Sequence, residues 1–183
     1  MKIVLNITFL SLCLGAIPFT IDRLNHALLH NHELVFVHHT QPDTIPSFPY
    51  QKTEAEWKQI LSPSQYRILR KKGTEIPFFN EYFDLKDDGI YVCAGCGQHL
   101  YDSNHKYKSG TGWPSFWKPI NDSLVVELED KSLFMVRIEI VCSNCGGHLG
   151  HVFDDGPHPT GLRYCMNSKA MKFIHRENTP HKN

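Results

Sequence analysis

Two C-x-x-C pairs constrain this chain more than any other feature: Cys93-Ala94-Gly95-Cys96 and, a domain-sized insert later, Cys142-Ser143-Asn144-Cys145. Each pair closes a tight knuckle in which two thiolates converge on one ion, and Gly95, Gly97, Gly146 and Gly147 let the backbone turn there without steric cost. Four thiolates suit tetrahedral Zn²⁺, and a closed shell of this kind holds structure together rather than leaving a position open for catalysis. Two other readings of these cysteines stand beside it: a pair of redox-active C-x-x-C motifs, or disulfides formed after export. Neither pair sits in the strand-to-helix context of a thioredoxin-like motif, which favours one structural zinc held by Cys93, Cys96, Cys142 and Cys145.

The N-terminus reads differently from the rest. Met1-Lys2 precedes an uncharged stretch from Ile3 to Ile17, closed by Pro18. One lysine before a short apolar run has the shape of a secretory signal peptide, and the run is short for a membrane span of roughly 20 residues. An uncleaved anchor or an organelle presequence is the alternative. Residues 18–49 follow as a linker, without sustained period and ending in Pro42, Pro46 and Pro49; its His26, His30, His32, His38 and His39 suit a solvated tract better than a metal scavenger. The folded part is expected over 50–176, with a tail at 177–183. Nineteen Lys+Arg balance nineteen Asp+Glu, so no net field attracts nucleic acid or an anionic membrane. An apolar fraction of 41% with 11% aromatics suffices for a core.

Within the folded part, Thr53-Glu54-Ala55-Glu56 is a capping box that opens a short helix through Trp57 and Leu61. Ser62-Pro63-Ser64-Gln65 repeats the device with Pro63 at the first helical position; that helix ends in Arg70-Lys71-Lys72, with Gly73 as the left-handed cap. Strand signals then take over at Gly89–Val92, Leu124–Leu128 and Phe134–Ile140, the last alternating with Arg137 and Glu139 opposite Val136, Ile138 and Ile140. The expected fold is mainly β (α+β): two small antiparallel sheets behind an N-terminal helical pair.

With the four knuckle cysteines assigned, Cys165 is the remaining downstream thiol, in Arg163-Tyr164-Cys165-Met166-Asn167. A lone cysteine is more often inert and buried than nucleophilic. On a strand, however, Arg163, Cys165 and Asn167 share a face, and a guanidinium beside a thiol favours the reactive thiolate. His148 and His151 suit proton donors, with structural roles the even alternative. The stiff loop Ser109-Gly110-Thr111-Gly112-Trp113-Pro114-Ser115-Phe116 holds an aromatic ring able to cradle a small apolar group, or simply to fill a core.

Taken in order, Ile90-Tyr91-Val92-Cys93-x-x-Cys96, Ser109 to Phe116, Cys142-x-x-Cys145, His148-Leu149-Gly150-His151-Val152-Phe153, Asp155-Gly156-Pro157 and Arg163-Tyr164-Cys165-Met166-Asn167 closely resemble the methionine-R-sulfoxide reductases (MsrB), across roughly residues 52 to 175. The resemblance implies a β-tent, Mss4-like fold with its zinc apart from the reaction, and reduction of methionine R-sulfoxide in proteins or peptides. It implies that Cys165 attacks the sulfoxide sulfur and becomes a sulfenic acid while His148 or His151 delivers a proton to oxygen. Arg163 then lowers the thiol pKa, Asp155 fixes Arg163 or a histidine, Asn167 orders the polar network, and Trp113 with Phe116 binds the substrate. The implied partners are an oxidised protein or peptide methionine and a thioredoxin-like or small-thiol reductant. No nucleic acid, no stable membrane span and a monomeric enzyme are expected.

Two positions depart from the family pattern. Thr111 stands where many members carry a resolving cysteine, and Lys169 replaces an expected small residue at the pocket rim. Threonine cannot resolve a sulfenic acid, and Cys13 lies in the segment expected to be removed. Recycling by an external thiol is therefore expected, in a secreted, periplasmic or secretory-lumen setting.

Overall fold

The computed structural model describes residues 46–132 and 135–176. The expected leader, nearly all of the expected linker and the C-terminal tail lie outside the described residues, as does Cys13. Two helices open the described chain, α1 (Glu54–Ile60) and α2 (Pro63–Lys71), and both begin at the expected capping boxes. The Thr53 hydroxyl accepts from the Glu56 amide at 3.3 Å while the Glu56 carboxylate takes the Thr53 amide at 2.8 Å. Ser62 and Gln65 exchange the same pair of bonds. Neither helix crosses a membrane: among the described residues none is long and apolar enough.

The end of α2 corrects the sequence reading. Lys72, not Gly73, takes the left-handed conformation, at φ 51° and ψ 38°. Gly73 is needed for space instead, since a Cβ there would come 2.8–3.0 Å from the Arg67 side chain and carbonyl. The turn at Lys72 carries its ammonium to the carboxylate of Glu139, 2.6 Å away.

The strands are β1 (Gly89–Cys93), β2 (His99–Asp102), β3 (Lys106–Tyr107), β4 (Ser115–Phe116), β5 (Val125–Asp130), β6 (Arg137–Cys142), β7 (His148–Phe153), β8 (Arg163–Met166) and β9 (Met171–His175). They form a three-stranded sheet ordered β2-β1-β9 and a six-stranded sheet ordered β3-β4-β8-β7-β6-β5, with every pairing antiparallel. The expectation of two antiparallel sheets behind a helical pair holds. The sheets bury their facing sides against each other through aromatic rings: Tyr91 meets Phe116 edge-on with centroids 5.0 Å apart, and Tyr101 stacks on Phe116 at 4.5 Å. Ile140, Leu149 and Met166 complete this layer, each fully buried side chain contributing about 1.5–3 kcal/mol. Helix α2 covers the far end with Ile68 and Leu69, and Trp57 of α1 packs under the guanidinium of Arg70 at 5.0 Å.

The pairing of β7 with β8 leaves no room for a side chain at Gly150. A Cβ there would overlap the Cys165 carbonyl oxygen and lie 2.9 Å from the Met166 Cα. Gly150→Ala must therefore prise apart the two strands that carry His151 and Cys165, at a cost of about 1–3 kcal/mol, the range of overpacked cores. A urea midpoint unchanged from that of the wild-type chain would show that the strands yield freely.

Candidate active site and metal centre

The two knuckles are hairpin turns, one from each sheet. Cys93–Cys96 joins β1 to β2, and Cys142–Cys145 joins β6 to β7. Their four sulfurs lie within 4.8 Å of one another, with Cys93–Cys145 and Cys96–Cys142 each at 3.6 Å. These separations exceed a disulfide bond of about 2.05 Å, and all five described cysteines are free thiols. They match the ~3.8 Å edge expected of a tetrahedron with ~2.3 Å metal–sulfur bonds. The cluster can hold a metal ion, and nothing but sulfur is offered as donor. Gln98 supports it, donating from Nε2 to Cys142 Sγ at 3.5 Å and to the Leu124 carbonyl at 2.7 Å.

Strand β8 sorts its residues by alternation: Tyr164 and Met166 enter the core, while Arg163 and Cys165 face the other side. Register then assembles the site. Ser115 on β4 and His151 on β7 both lie directly opposite Cys165, Tyr107 on β3 opposes Ser115, and Glu139 on β6 opposes His151. Directly opposed residues share a face, so Tyr107, Ser115, Cys165, His151 and Glu139 form one row across five strands.

The thiol has hydroxyl neighbours. Thr111 Oγ1 is 3.9 Å from Cys165 Sγ, and Ser109 bonds both Thr111 at 2.9 Å and Ser115 at 2.8 Å. Burial raises the Cys165 pKa above the ordinary thiol value, and the Thr111 hydrogen bond and the Arg163 charge only partly oppose it. Arg163 pulls in the expected direction, lowering the thiol pKa, but burial outweighs it. The guanidinium is committed elsewhere: it gives Nε to Asp155 Oδ1 at 2.7 Å and Nη2 to Oδ2 at 2.9 Å, and it lies 4.3 Å over the Phe153 ring. Asp155 thus fixes Arg163 and not a histidine.

Each histidine has a carboxylate of its own. His148 Nδ1 meets Glu139 Oε1 at 2.7 Å, and His151 Nε2 meets Asp130 Oδ2 at 2.8 Å. The two rings stand edge-on at 5.4 Å. Burial lowers the His151 pKa even though the Asp130 hydrogen bond opposes it. Asp130 is itself held well below the usual carboxylate range, by Ser132 first and His151 next, and Arg137 Nη2 donates to it at 2.7 Å.

The aromatic loop is pinned from outside by residues 75–80. Trp113 Nε1 donates to the Glu75 carbonyl at 3.1 Å, Phe78 donates its amide to Gly112 O at 2.8 Å, and Asn80 Nδ2 reaches the same oxygen at 2.6 Å. The Glu75 carboxylate also accepts the amides of Ser168 and Lys169, and Asn167 Oδ1 accepts the Glu75 amide at 3.0 Å. Asn167 therefore anchors the segment after Cys165, its own amide and Nδ2 both donating to Leu149 O. Lys169 turns outward to Glu81 at 2.8 Å.

Of the residues singled out in the sequence, the structure brings together Cys165, His148, His151, Arg163 and Asp155, with Asn167 and Trp113 joined through Glu75. Phe116 goes elsewhere. It is 0% exposed and opposes Tyr164, so it points into the core while its neighbour Ser115 faces the thiol. Sequence reasoning missed Glu139, Asp130 and Glu75. The alternation of Arg137-Ile138-Glu139-Ile140 marked a polar face, but the face it marks is the site rather than solvent.

The SelR domain model matches residues 61–175. The chain is 55% identical over 129 residues to the peptide methionine sulfoxide reductase MsrB of Methanosarcina mazei, covering 70% of this chain and 92% of that protein. It is 54% identical over 127 residues to the protein of the same name from Leptospira interrogans, covering 69% and 97%. Against that of Acinetobacter baylyi it is 57% identical over 121 residues, covering 66% and 87%. A domain match over more than half of its length, and identity above one half to relatives aligned nearly end to end, place this chain in the MsrB family of SelR-domain proteins.

Proposed function

We propose that this chain reduces the R epimer of methionine sulfoxide in proteins or peptides, with Cys165 as nucleophile. The observation that carries the reading is the row that sets Cys165 between Ser115 and His151, with Thr111 at 3.9 Å and Arg163 on the same strand face. Cys165 takes the oxygen from the methionine sulfur and becomes a sulfenic acid; the thiol is oxidised, the sulfoxide is reduced to the thioether, and no other oxidant is needed. The histidine pair supplies the proton that the oxygen takes up. Trp113, held by its indole N–H, receives the S-methyl group. Zinc, bound by Cys93, Cys96, Cys142 and Cys145, supplies structure and takes no part in oxygen transfer.

Recycling follows from Thr111. Its hydroxyl occupies the place beside Cys165 from which a cysteine could resolve the sulfenic acid, and a hydroxyl cannot. Two equivalents of an external thiol, small or thioredoxin-like, then return Cys165 to the thiol with loss of water and formation of their own disulfide. The uncharged stretch behind Lys2 supports export.

The direct test is dithiothreitol-driven turnover of separate R- and S-sulfoxide peptides. The zinc-loaded chain, with about one ion per chain by elemental analysis, is expected to reduce the R epimer alone, and Cys165→Ser to abolish this without losing metal. Comparable turnover of both epimers, or activity retained in Cys165→Ser, sinks the assignment.

After one turnover without reductant, mass spectrometry is expected to find a dimedone adduct on Cys165 and no disulfide to it. Thr111→Cys should replace that adduct with a disulfide between the introduced thiol and Cys165. A disulfide from Cys165 to Cys13 in the processed wild-type protein would falsify the external route.

Burial also fixes a pH dependence for the resting enzyme. Because the Cys165 pKa is raised, its thiolate appears only at alkaline pH, above the ordinary thiol value of about 8.5. Alkylation of Cys165 by iodoacetamide, followed by peptide mass spectrometry, is expected to rise through a midpoint above that value. Arg163→Met removes an opposing charge and moves the midpoint higher still. A midpoint near neutrality means that Arg163 outweighs burial.

A further inference from the structure

Glu139 has no part in the reaction as described, yet it is 1% exposed. An ionised carboxylate at such depth costs several kcal/mol unless it is paired and hydrogen-bonded. Both of its oxygens are engaged, Oε1 with His148 Nδ1 at 2.7 Å and Oε2 with Lys72 Nζ at 2.6 Å. The cation comes at a backbone cost, because Lys72 adopts the left-handed conformation that a glycine ordinarily takes at a helix end. The lysine side chain remains 68% exposed, so the buried charge is balanced from the solvent side. What remains of its acceptor strength goes to one imidazole nitrogen.

That commitment has a consequence at the other end of the ring. His148 is 2% exposed, and its Nε2 is buried with no hydrogen-bond partner among the described residues. Buried ring nitrogens seldom go without a partner, and an orphan on the ring next to the histidine that opposes Cys165 calls for an explanation. The ring lies 5.4 Å from that of His151, which stands opposite Cys165. His151 has the reverse arrangement, its Nε2 already taken by Asp130. Of these two Nε2 atoms, only that of His148 is free of a partner among the described residues.

We infer that Glu139 is a positioning residue for oxygen transfer: by accepting Nδ1–H of His148 it leaves Nε2 as the end that carries the proton to the sulfoxide oxygen. This rests on the reductase reading above. The step balances without an added reactant. Within the pocket the Cys165 thiol gives up its proton, His148 carries it at Nε2 as imidazolium, and Glu139 stabilises that cation through Nδ1–H. The thiolate then attacks the sulfoxide sulfur while the oxygen takes the proton. Oxygen passes to Cys165 as S–OH, methionine leaves as the thioether, and His148 returns to the neutral form. A buried carboxylate that holds one tautomer and stabilises the imidazolium is a general device of acid–base catalysis.

The test uses the full, zinc-loaded chain. Glu139→Gln keeps the volume, and the exposed Lys72 can swing into solvent. The single-turnover rate of Cys165 oxidation by an R-sulfoxide peptide is expected to fall about 10–100-fold, the loss typical of removing an outer-shell partner. The half-saturating peptide concentration should stay within about twofold and the zinc content unchanged, a split that a merely structural role does not produce. Should the variant lose zinc or fail to fold, the wild-type protein decides the matter. ¹⁵N spectra of histidine-labelled wild type must show neutral His148 protonated at Nδ1 and bare at Nε2. A wild-type rate in folded Glu139→Gln, or the opposite tautomer in the wild type, overturns the inference while leaving the reductase assignment standing. No reduction of the R epimer by the wild type removes both.

Discussion

The arrangement of this protein depends on one contact, the meeting of four sulfurs from two hairpin turns. One turn closes β1 onto β2 in the small sheet, the other closes β6 onto β7 in the large one. No strand is shared between the two sheets, so the sulfur cluster ties them together beside the aromatic layer of Tyr91, Tyr101 and Phe116. The second knuckle also sets the registration of the strands beyond it. Glu139 lies just before Cys142, and His148 just after Cys145, so the turn that brings sulfur to the cluster also sets carboxylate against imidazole. A metal held there would act on the chemistry only through geometry, by folding the hairpin that carries it.

Beyond the hairpin, the large sheet divides its labour by alternation. One face of β4, β7 and β8 is apolar and closes the core with Phe116, Val152, Tyr164 and Met166; the other presents Ser115, His151, Arg163 and Cys165. A site built on paired strands is more precise than one built on loops, because each side chain is fixed by the ladder on both sides. The loop that brings Thr111 and Trp113 receives its precision from elsewhere. Residues 75–80 bond the Trp113 indole and the Gly112 carbonyl, and the Glu75 carboxylate caps the segment that follows Cys165. One acidic residue thereby fixes both the aromatic wall and Asn167.

How much of this the sequence disclosed depended on whether the signal was local. The capping boxes at Thr53 and Ser62 were readable because each is complete within four residues. The knuckles were readable because C-x-x-C spacing is itself the geometry. Branched residues marked strands at Gly89–Val92, Leu124–Leu128 and Phe134–Ile140, and strands form over Gly89–Cys93, Val125–Asp130 and Arg137–Cys142. What could not be read was anything decided across the sheet. Phe116 belongs to a Gly/Pro loop motif, yet pairing with Tyr164 turns it inward. Lys72 precedes a glycine that looks made for a left-handed cap, yet a carboxylate 67 positions away claims the lysine and the backbone follows. Glu139 reads as the wet side of an amphipathic strand, and only the neighbouring β7 shows that this side is buried.

The same non-local pairing explains how charge is managed around the thiol. Arg163 is matched by Asp155, His151 by Asp130 and His148 by Glu139, while Lys72 and Arg137 each balance one of those carboxylates from further out. Little unbalanced positive charge remains to pull the proton off Cys165, and burial then decides in favour of the neutral thiol. A sulfoxide is itself neutral, so binding it needs no net charge in the site. In the proposed reaction charge separation comes first, when the Cys165 thiolate and the His148 imidazolium exist together before attack on sulfur. Carboxylates already hydrogen-bonded to the histidines favour that ion pair without reorganising, which is where preorganised groups contribute most. A resting thiol that stays protonated is also a poor nucleophile toward adventitious oxidants, since oxidation follows thiolate character. Burial and full pairing thus keep Cys165 quiet at rest, and in the proposed reaction its activation waits on proton transfer to a histidine already paired with a carboxylate.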